Sequence, residues 1–159
     1  MTYSETGIIT LKDIQIPSKK RFEKGPFAVI ECPQKIPCNP CVDACPFHAI
    51  SMNDVNALPE IDFESCTGCG SCISKCPGLA VFVVDMTYSD NDAMVKIPYE
   101  FALPTIGDTV SALDRKGDVK GDAKVIRVVK GKDKTGIVSI AVKKSLVMDI
   151  RNIRCLTYG

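Results

Sequence analysis

Apolar and polar residues alternate along the last third of the chain, which is the pattern of strands with one buried face. The clearest candidates are residues 109–113, 123–130 and 137–142, and residues 145–153 add a helical turn or a final strand. Several short strands at this spacing are typical of a small barrel. We therefore predict a small β-rich, barrel-like domain of the SH3 or OB type over residues 96–159.

The middle of the chain has short apolar runs that flank segments rich in cysteine. Residues 28–31, 50–52, 60–62 and 81–85 predict four short strands. Short helices would then carry part of the cysteine segments. Together these features predict an α+β protein with a cysteine-rich domain over residues 28–90.

Residues 1–27 are mostly polar and contain the basic stretch Lys19, Lys20 and Arg21. They predict a segment that caps the next domain or docks a partner. The start of the sequence lacks the basic and long apolar stretches of a secretory signal. The longest apolar run, residues 79–84, is far shorter than the ~20 residues of a membrane helix. We expect a cytoplasmic protein without a membrane span, in which clustered cysteines bind metal more often than they form disulfides.

Composition and charge limit the classes of function that the chain can have. The 159 residues include no Trp and only 6% aromatic residues, so a small core needs another source of stability, which the nine cysteines can supply. The formal net charge of +1 argues against a nucleic-acid-binding protein, which normally has a strongly basic face.

Eight of the nine cysteines form two copies of one motif. In each copy the last cysteine is followed by proline, and three residues after that proline comes a small residue and then an aliphatic one. The first copy consists of Cys32, Cys38, Cys41, Cys45 and Pro46, followed by Ala49 and Ile50; the second consists of Cys66, Cys69, Cys72, Cys76 and Pro77, followed by Ala80 and Val81.

The spacing C-x2-C-x2-C-x3-C-P in the second copy indicates two [4Fe–4S] clusters. Three thiolates of such a run bind one cluster, and the fourth reaches the other. The predicted ligands of cluster 1 are therefore Cys32, Cys38, Cys41 and the distant Cys76, and those of cluster 2 are Cys66, Cys69, Cys72 and the distant Cys45. A structural zinc protein is the alternative, although zinc sites use paired C-x2-C units and do not need this asymmetric arrangement.

The first copy departs from the regular spacing. Five residues separate Cys32 from Cys38, and Pro33 and Pro37 bracket the insertion. A stiff loop that shields cluster 1 is one interpretation, and a Cys32 that is not a ligand is the other. The ninth cysteine, Cys155, is remote in sequence and is predicted to be a small buried hydrophobe.

Several other residues have two interpretations. Gly68 and Gly70 would let the backbone wrap closely around a cluster. Lys35 and Lys75 lie within the cysteine runs, where they would stabilise a reduced cluster or simply be solvated. His48 is the only histidine, and it would tune a cluster or pack without a role.

At these residues the chain resembles the bacterial two-[4Fe–4S] ferredoxin family. The resemblance covers residues 28–85 and rests on the eight cysteines, both Cys-Pro pairs and both small-aliphatic steps. It implies a ferredoxin-like fold, with short helices and hairpins in a pseudo-twofold arrangement around two clusters, and electron transport as the activity.

Residues 31–41 carry a narrower resemblance, to the small iron–sulfur subunits of FAD-dependent dehydrogenases that oxidise proline, hydroxyproline or opine-type amines. It implies an electron-transfer subunit with no catalytic site of its own, in a hetero-oligomer of anaerobic metabolism whose partners hold FAD and a [2Fe–2S] cluster. The alternative is a free ferredoxin that shuttles electrons between enzymes. Free bacterial ferredoxins are usually strongly acidic, so the net charge of +1 counts against that role.

Overall fold

The computed structural model describes residues 3–33, 38–131 and 135–155. Strands predominate in these ranges, and the helices are short. No helix among the described residues is long and apolar enough to span a bilayer. The helices are α1 (Tyr3–Thr6), α2 (Lys19–Phe22), α3 (Pro40–Ala44) and α4 (Ser71–Lys75), with single 3-10 turns at Leu11–Asp13 and Lys144–Leu146. The strands are β1 (Phe27–Ile30), β2 (Ile50–Ser51), β3 (Glu60–Ile61), β4 (Val81–Asp85), β5 (Asp92–Tyr99), β6 (Thr109–Leu113), β7 (Val119–Lys130), β8 (Gly136–Lys143) and β9 (Asn152–Cys155).

One antiparallel sheet runs through both halves of the chain. Its strand order is β1-β4-β5-β8-β7-β6-β9, and β2 and β3 form a separate hairpin. The predicted boundary between residues 90 and 96 falls at β5, which pairs with β4 on one side and with β8 on the other. Within the described ranges no ladder joins β5 to β9, and β5 extends the sheet of β1 and β4, so the prediction of an SH3- or OB-type barrel is not confirmed.

The antiparallel pair of β1 and β4 separates two hydrophobic cores. Every residue of β1 is buried, because successive side chains point to opposite faces of the sheet and both faces are covered. Phe27 and Val29 face the main core of the sheet, whereas Ala28 and Ile30 face a smaller core. Most of the eight repeat cysteines pack in or against that smaller core, so the cysteine segment lies on this pair of strands.

The sheet curls, so that its two edges approach each other. Side chains of β1 and β9 contribute to the same core. Glu31, at the end of β1, accepts hydrogen bonds from the guanidinium groups of Arg115 and Arg151, which lie after β6 and before β9. This buried ion cluster connects the edge that carries the cysteine segment to the far edge of the sheet.

Candidate metal centre

Four of the predicted ligands line one small cavity beside the ends of β1 and β4. The cavity is lined by Cys32, Cys38, Cys41 and Cys76, together with the apolar residues Ile30, Ala57, Pro59 and Val81. Three of these cysteines come from the first copy and one comes from the second. This is the combination that cross-ligation predicts for cluster 1, and we call the cavity the cluster 1 site.

The other four predicted ligands line a second cavity. Its walls are Cys45, Cys66, Cys69 and Cys72, with Ala28, Phe47, Ile50 and the backbone of residues 67–71. Here the second copy supplies three cysteines and the first copy supplies one. We call this cavity the cluster 2 site. The helices α3 and α4, one from each copy, contact each other, so the two sites are neighbours.

The fourth cysteine of each copy lies at the junction between a helix and a proline. Helix α3 ends just before Cys45, and α4 ends just before Cys76. Both cysteines have extended backbone conformations, with ψ of 111° and 113°. A residue before proline is sterically excluded from the helical region, so Pro46 and Pro77 turn these two cysteines away from the other ligands of their own copy.

After each proline the chain makes the same unusual turn. His48 and Leu79 have φ of 54° and 52°, and they are the described non-glycine residues with positive φ. The left-handed conformation costs such residues free energy, of the order of 1 kcal/mol or more. It directs the next backbone N–H onto the cysteine four residues back: Ala49 N lies 3.3 Å from Cys45 Sγ, and Ala80 N lies 3.4 Å from Cys76 Sγ. The small residue that follows each Cys-Pro pair, Ala49 or Ala80, therefore donates a backbone hydrogen bond to a cysteine sulfur.

The cysteines of each cavity lie close enough together to shift one another's pKa. Burial, together with the negative charge of the neighbouring cysteines of the cluster 2 site, raises the pKa of Cys72 to about 12. Burial and the proximity of Cys76 also raise the pKa of Cys41. Burial acts in the same direction on Cys69, but hydrogen bonds with the side chain and backbone of Ser71 and with the side chain of Thr67 outweigh it and lower the pKa of Cys69. Buried thiolates this close together require positive charge between them, which a bound iron cluster provides.

The donor set of each cavity consists of four cysteine thiols. Among the described residues, no three His, Cys, Asp or Glu side chains are close enough to hold one metal ion. A zinc ion draws four ligands to about 2.0–2.3 Å, whereas each thiolate of a [4Fe–4S] site binds a different iron and the thiolates stand further apart. Each cavity brings together four cysteines, the ligand number of a [4Fe–4S] cluster, and the N–H groups of Ala49 and Ala80 lie on the sulfurs of Cys45 and Cys76.

A buried arginine organises the loop that precedes the cluster 2 ligands. The guanidinium of Arg21, in α2, donates hydrogen bonds to the carbonyl oxygens of Phe63 (2.6 Å), Gly25 (3.0 Å), Pro26 (2.8 Å) and Cys66 (2.8 Å). The side chain is almost fully buried. The planar fork of arginine suits several carbonyls at once, which the point charge of lysine does not. Arg21 is thus a positioning residue for Cys66.

The sequence did not single out Arg21, because it is the third of three adjacent basic residues that look alike. Lys19 and Lys20 are exposed, as a solvated basic stretch should be. A short helix over these residues would have indicated that only one of the three basic side chains can face the rest of the protein, because successive side chains of a helix point in different directions. That signal does not identify what the buried side chain contacts.

We expect Arg21→Gln to destabilise cluster 2 selectively. Charge-assisted hydrogen bonds contribute about 1.5–3 kcal/mol each, so losing even one corresponds to roughly tenfold faster opening of the Cys66 loop. The measurement is the anaerobic rate of iron release to a ferrous chelator, in which about half of the iron should leave faster. Lys20→Gln is the matched control and should release iron as the unaltered protein does. Arg21→Lys should fail to restore the slow rate. Uniform acceleration of all the iron would contradict the assignment of Arg21 to one site.

The segment before β1 packs on the cysteine segment of the same chain. The side chain of Gln15 donates to Ile61 O (2.9 Å) and accepts from Ile61 N (3.1 Å). Gly68 has φ of 70°, and a Cβ on it would lie 2.5 Å from Cβ of Pro26, so no larger residue fits there. In the structure this part of residues 1–27 contacts the cysteine segment as a cap.

The remaining singled-out residues lie outside the two cavities. The side chain of His48 is exposed. Its backbone forms the turn that directs the N–H of Ala49 onto Cys45 Sγ. Cys155 is half-buried against the main core, with its Sγ 3.7 Å from the hydroxyl of Tyr99. Lys75 is exposed at the end of α4. Lys35 and Pro37 lie outside the described residues.

Comparison with known proteins identifies the cysteine segment. Residues 32–80 match the family model of the 4Fe-4S dicluster domain. The prediction of a ferredoxin-type segment for two iron–sulfur clusters is therefore confirmed. No solved structure matches the chain significantly.

Curated proteins match over the same part of the chain. A polyferredoxin-like subunit of an aliphatic sulfonate oxidoreductase from Pyrococcus furiosus is 36% identical over 53 residues, which are 33% of this chain and 28% of that protein. The ferredoxin-type protein NapF of Haemophilus influenzae is 37% identical over 60 residues, 35% of this chain and 34% of its own. A subunit of an ion-translocating oxidoreductase complex from Methanosarcina acetivorans is 44% identical over 46 residues, 29% of this chain and 17% of its own. The chain thus spans about a third or less of the length of these relatives.

Proposed function

We propose that this chain, whose residues 32–80 form a 4Fe–4S dicluster segment, is an electron-transfer subunit that relays single electrons within a larger oxidoreductase complex. The observation that supports this most strongly is the pair of neighbouring cavities, each with three cysteines of one copy and one of the other. Each cluster, when bound, supplies a one-electron couple. The protein would hold the clusters, donate hydrogen bonds from the N–H groups of Ala49 and Ala80 to the sulfurs of Cys45 and Cys76, and surround cluster 1 with apolar residues.

The catalytic partner is, in this proposal, an FAD-containing dehydrogenase subunit that oxidises an amino acid or amine. A flavin takes two electrons from the substrate, and the two clusters would pass them on one at a time. The resemblance of residues 31–41 to the small subunits of such dehydrogenases supports this partner. Two of the relatives described above are named as oxidoreductase subunits, which supports a hetero-oligomer.

The proposal predicts what the protein contains when it is purified from its native source without oxygen and at its natural abundance. We expect a brown protein with about eight irons per chain, since each of two clusters has four. We also expect flavin-bearing subunits to copurify in a fixed ratio, because the chain would be part of their assembly. Iron analysis, visible absorption and identification of the released flavin measure these outcomes.

Each alternative has its own signature. A colourless chain under these conditions would overturn the iron–sulfur assignment. A brown chain that purifies alone, as a monomer, and is reduced by pyruvate- or hydrogen-oxidising enzymes would instead identify a free ferredoxin. A brown complex without flavin would retain the relay and exclude the dehydrogenase partner.

A further inference from the structure

A groove beside the cluster 2 site has no role in the function proposed above. It has a volume of about 480 Å³ and lies between α4 on one side and β5, β7 and β8 on the other. Cys69 is one of its lining residues. Of the eight predicted ligands, all of which are described, Cys69 is the exposed one. The groove therefore reaches the exposed member of the predicted cluster 2 ligands.

The groove is lined by positive charge. Its cations come from three elements of the fold and are Lys75 (α4), Lys96 (β5), Arg127 and Lys130 (β7). None of its described lining residues is acidic. Glu100 lies next to the groove, where its carboxylate accepts a hydrogen bond from the hydroxyl of the lining residue Thr135 (3.1 Å). Among the described residues none of the four cations forms an ion pair, and Lys96 donates to Gly68 O at 3.4 Å.

The exposure of these cations favours a protein partner over a small anion. Lys75, Arg127 and Lys130 are exposed, so their charges act through solvent over the surface around the groove. A small-anion site would instead be expected to hold its ligand with buried polar groups in a desolvated pocket. Exposed charges of one sign around a redox site increase association rates with an oppositely charged protein. The formal net charge of the chain is only +1, so acidic residues elsewhere in the sequence balance the positive charge of the groove.

We propose that this basic groove is the docking site for an acidic protein that carries a one-electron redox centre, and that electrons cross there between that centre and cluster 2. The proposal rests on the proposed relay function and adds which cluster faces the partner. In the crossing, one electron leaves the reduced centre of the partner and one cluster of this chain gains it, with no atom transferred. The reverse direction is equally balanced.

The test uses the complete, cluster-loaded chain and a reduced acidic flavodoxin as the probe. Stopped-flow absorption of the flavin gives the second-order rate constant for electron transfer. The variant Lys75→Glu/Arg127→Glu/Lys130→Glu should lower that constant about tenfold or more at low ionic strength, since electrostatic steering contributes 10–10³ in rate. The unaltered protein should slow as salt is added, because the Debye length falls to about 10 Å at 0.1 M.

The control variant Lys12→Glu/Lys19→Glu/Lys20→Glu makes the same change in net charge at exposed sites away from the groove and should keep most of the rate. A milder variant, Lys75→Gln/Arg127→Gln/Lys130→Gln, should give an intermediate loss. Equal rates for the groove and control variants would overturn the docking inference. So would inhibition by pyrophosphate beyond that of chloride at equal ionic strength, which would indicate a small-anion site. Reduction of all variants by dithionite reports the relay itself: failure there would overturn the proposed function.

Discussion

Replacing Cys45 with serine is expected to remove cluster 2, although Cys45 belongs to the first cysteine copy. The structure places Cys45 in the cavity of the second copy's ligands, and its Pro46 holds it away from those of its own copy. Cys76→Ser should correspondingly remove cluster 1. Each variant should retain about half of the iron, because one complete four-cysteine site remains.

Comparison of the residual spectra shows which cluster is lost. The electron paramagnetic resonance spectrum of reduced Cys45→Ser should match that of Cys66→Ser, and the spectrum of Cys76→Ser should match that of Cys41→Ser. Cys155→Ser is the control and should keep all of the iron. If Cys45→Ser instead matched Cys41→Ser, the fourth cysteine of each copy would bind within its own copy and cross-ligation would be wrong.

The sequence could indicate which cysteines line the same cavity, because the constraint behind the grouping is local, and their role as ligands stays a prediction. Cysteines with two residues between them can turn toward one cluster, and a cysteine before proline cannot continue the helix that precedes it. The structure gathers Cys32 into the cluster 1 site with Cys38 despite the longer gap, so it gives no support to a Cys32 outside the site. The alanines at positions 49 and 80 were visible as a repeat, but their role as N–H donors needed the backbone conformation.

The continuity of the sheet could not be predicted in the same way. Strand β5 was not singled out, since Pro98 interrupts its alternation and proline is rare in central strands. The ladder of β5 with β4 extends only as far as Lys96, so Pro98 lies beyond it and no N–H is missing from that side. Where Pro98 lies relative to the end of β4 depends on tertiary structure. Because β5 pairs with both β4 and β8, it joins the two predicted domains in one sheet.

Long-range polar contacts were equally beyond a single sequence. Arg21 and Cys66 are 45 positions apart, and Glu31 and Arg151 are 120 apart. A charged residue looks the same in the sequence whether it is solvated or buried, and only the fold decides. Both contacts lie between the cysteine segment and the rest of the chain, and neither has a signal in the sequence.

Glu31→Gln is expected to be strongly destabilising, although Glu31 is not a ligand. Its side chain is 4% exposed and bonds Arg115, at 2.6 Å, as well as Arg151, which is equally buried. Burial lowers the pKa of Arg151 and the charge of Glu31 opposes that shift, so the carboxylate compensates a buried positive charge. Breaking such a buried pair from one side costs about 3–5 kcal/mol. For a chain of this size, that corresponds to a fall in Tm of roughly 6–20 °C.

The surface pair Lys24–Glu64, at 3.0 Å, supplies the matched control for this prediction. Its side chains are more than half exposed, so Glu64→Gln should cost about 0–1 kcal/mol and barely change Tm. Anaerobic thermal unfolding of the loaded proteins, with iron content checked before heating, makes the comparison. The double variant Glu31→Gln/Arg151→Met should recover part of the loss, because it removes a charge that Glu31→Gln leaves buried without a partner. Equal Tm values for Glu31→Gln and Glu64→Gln would show that the ion cluster does not hold the cysteine segment to the far edge of the sheet.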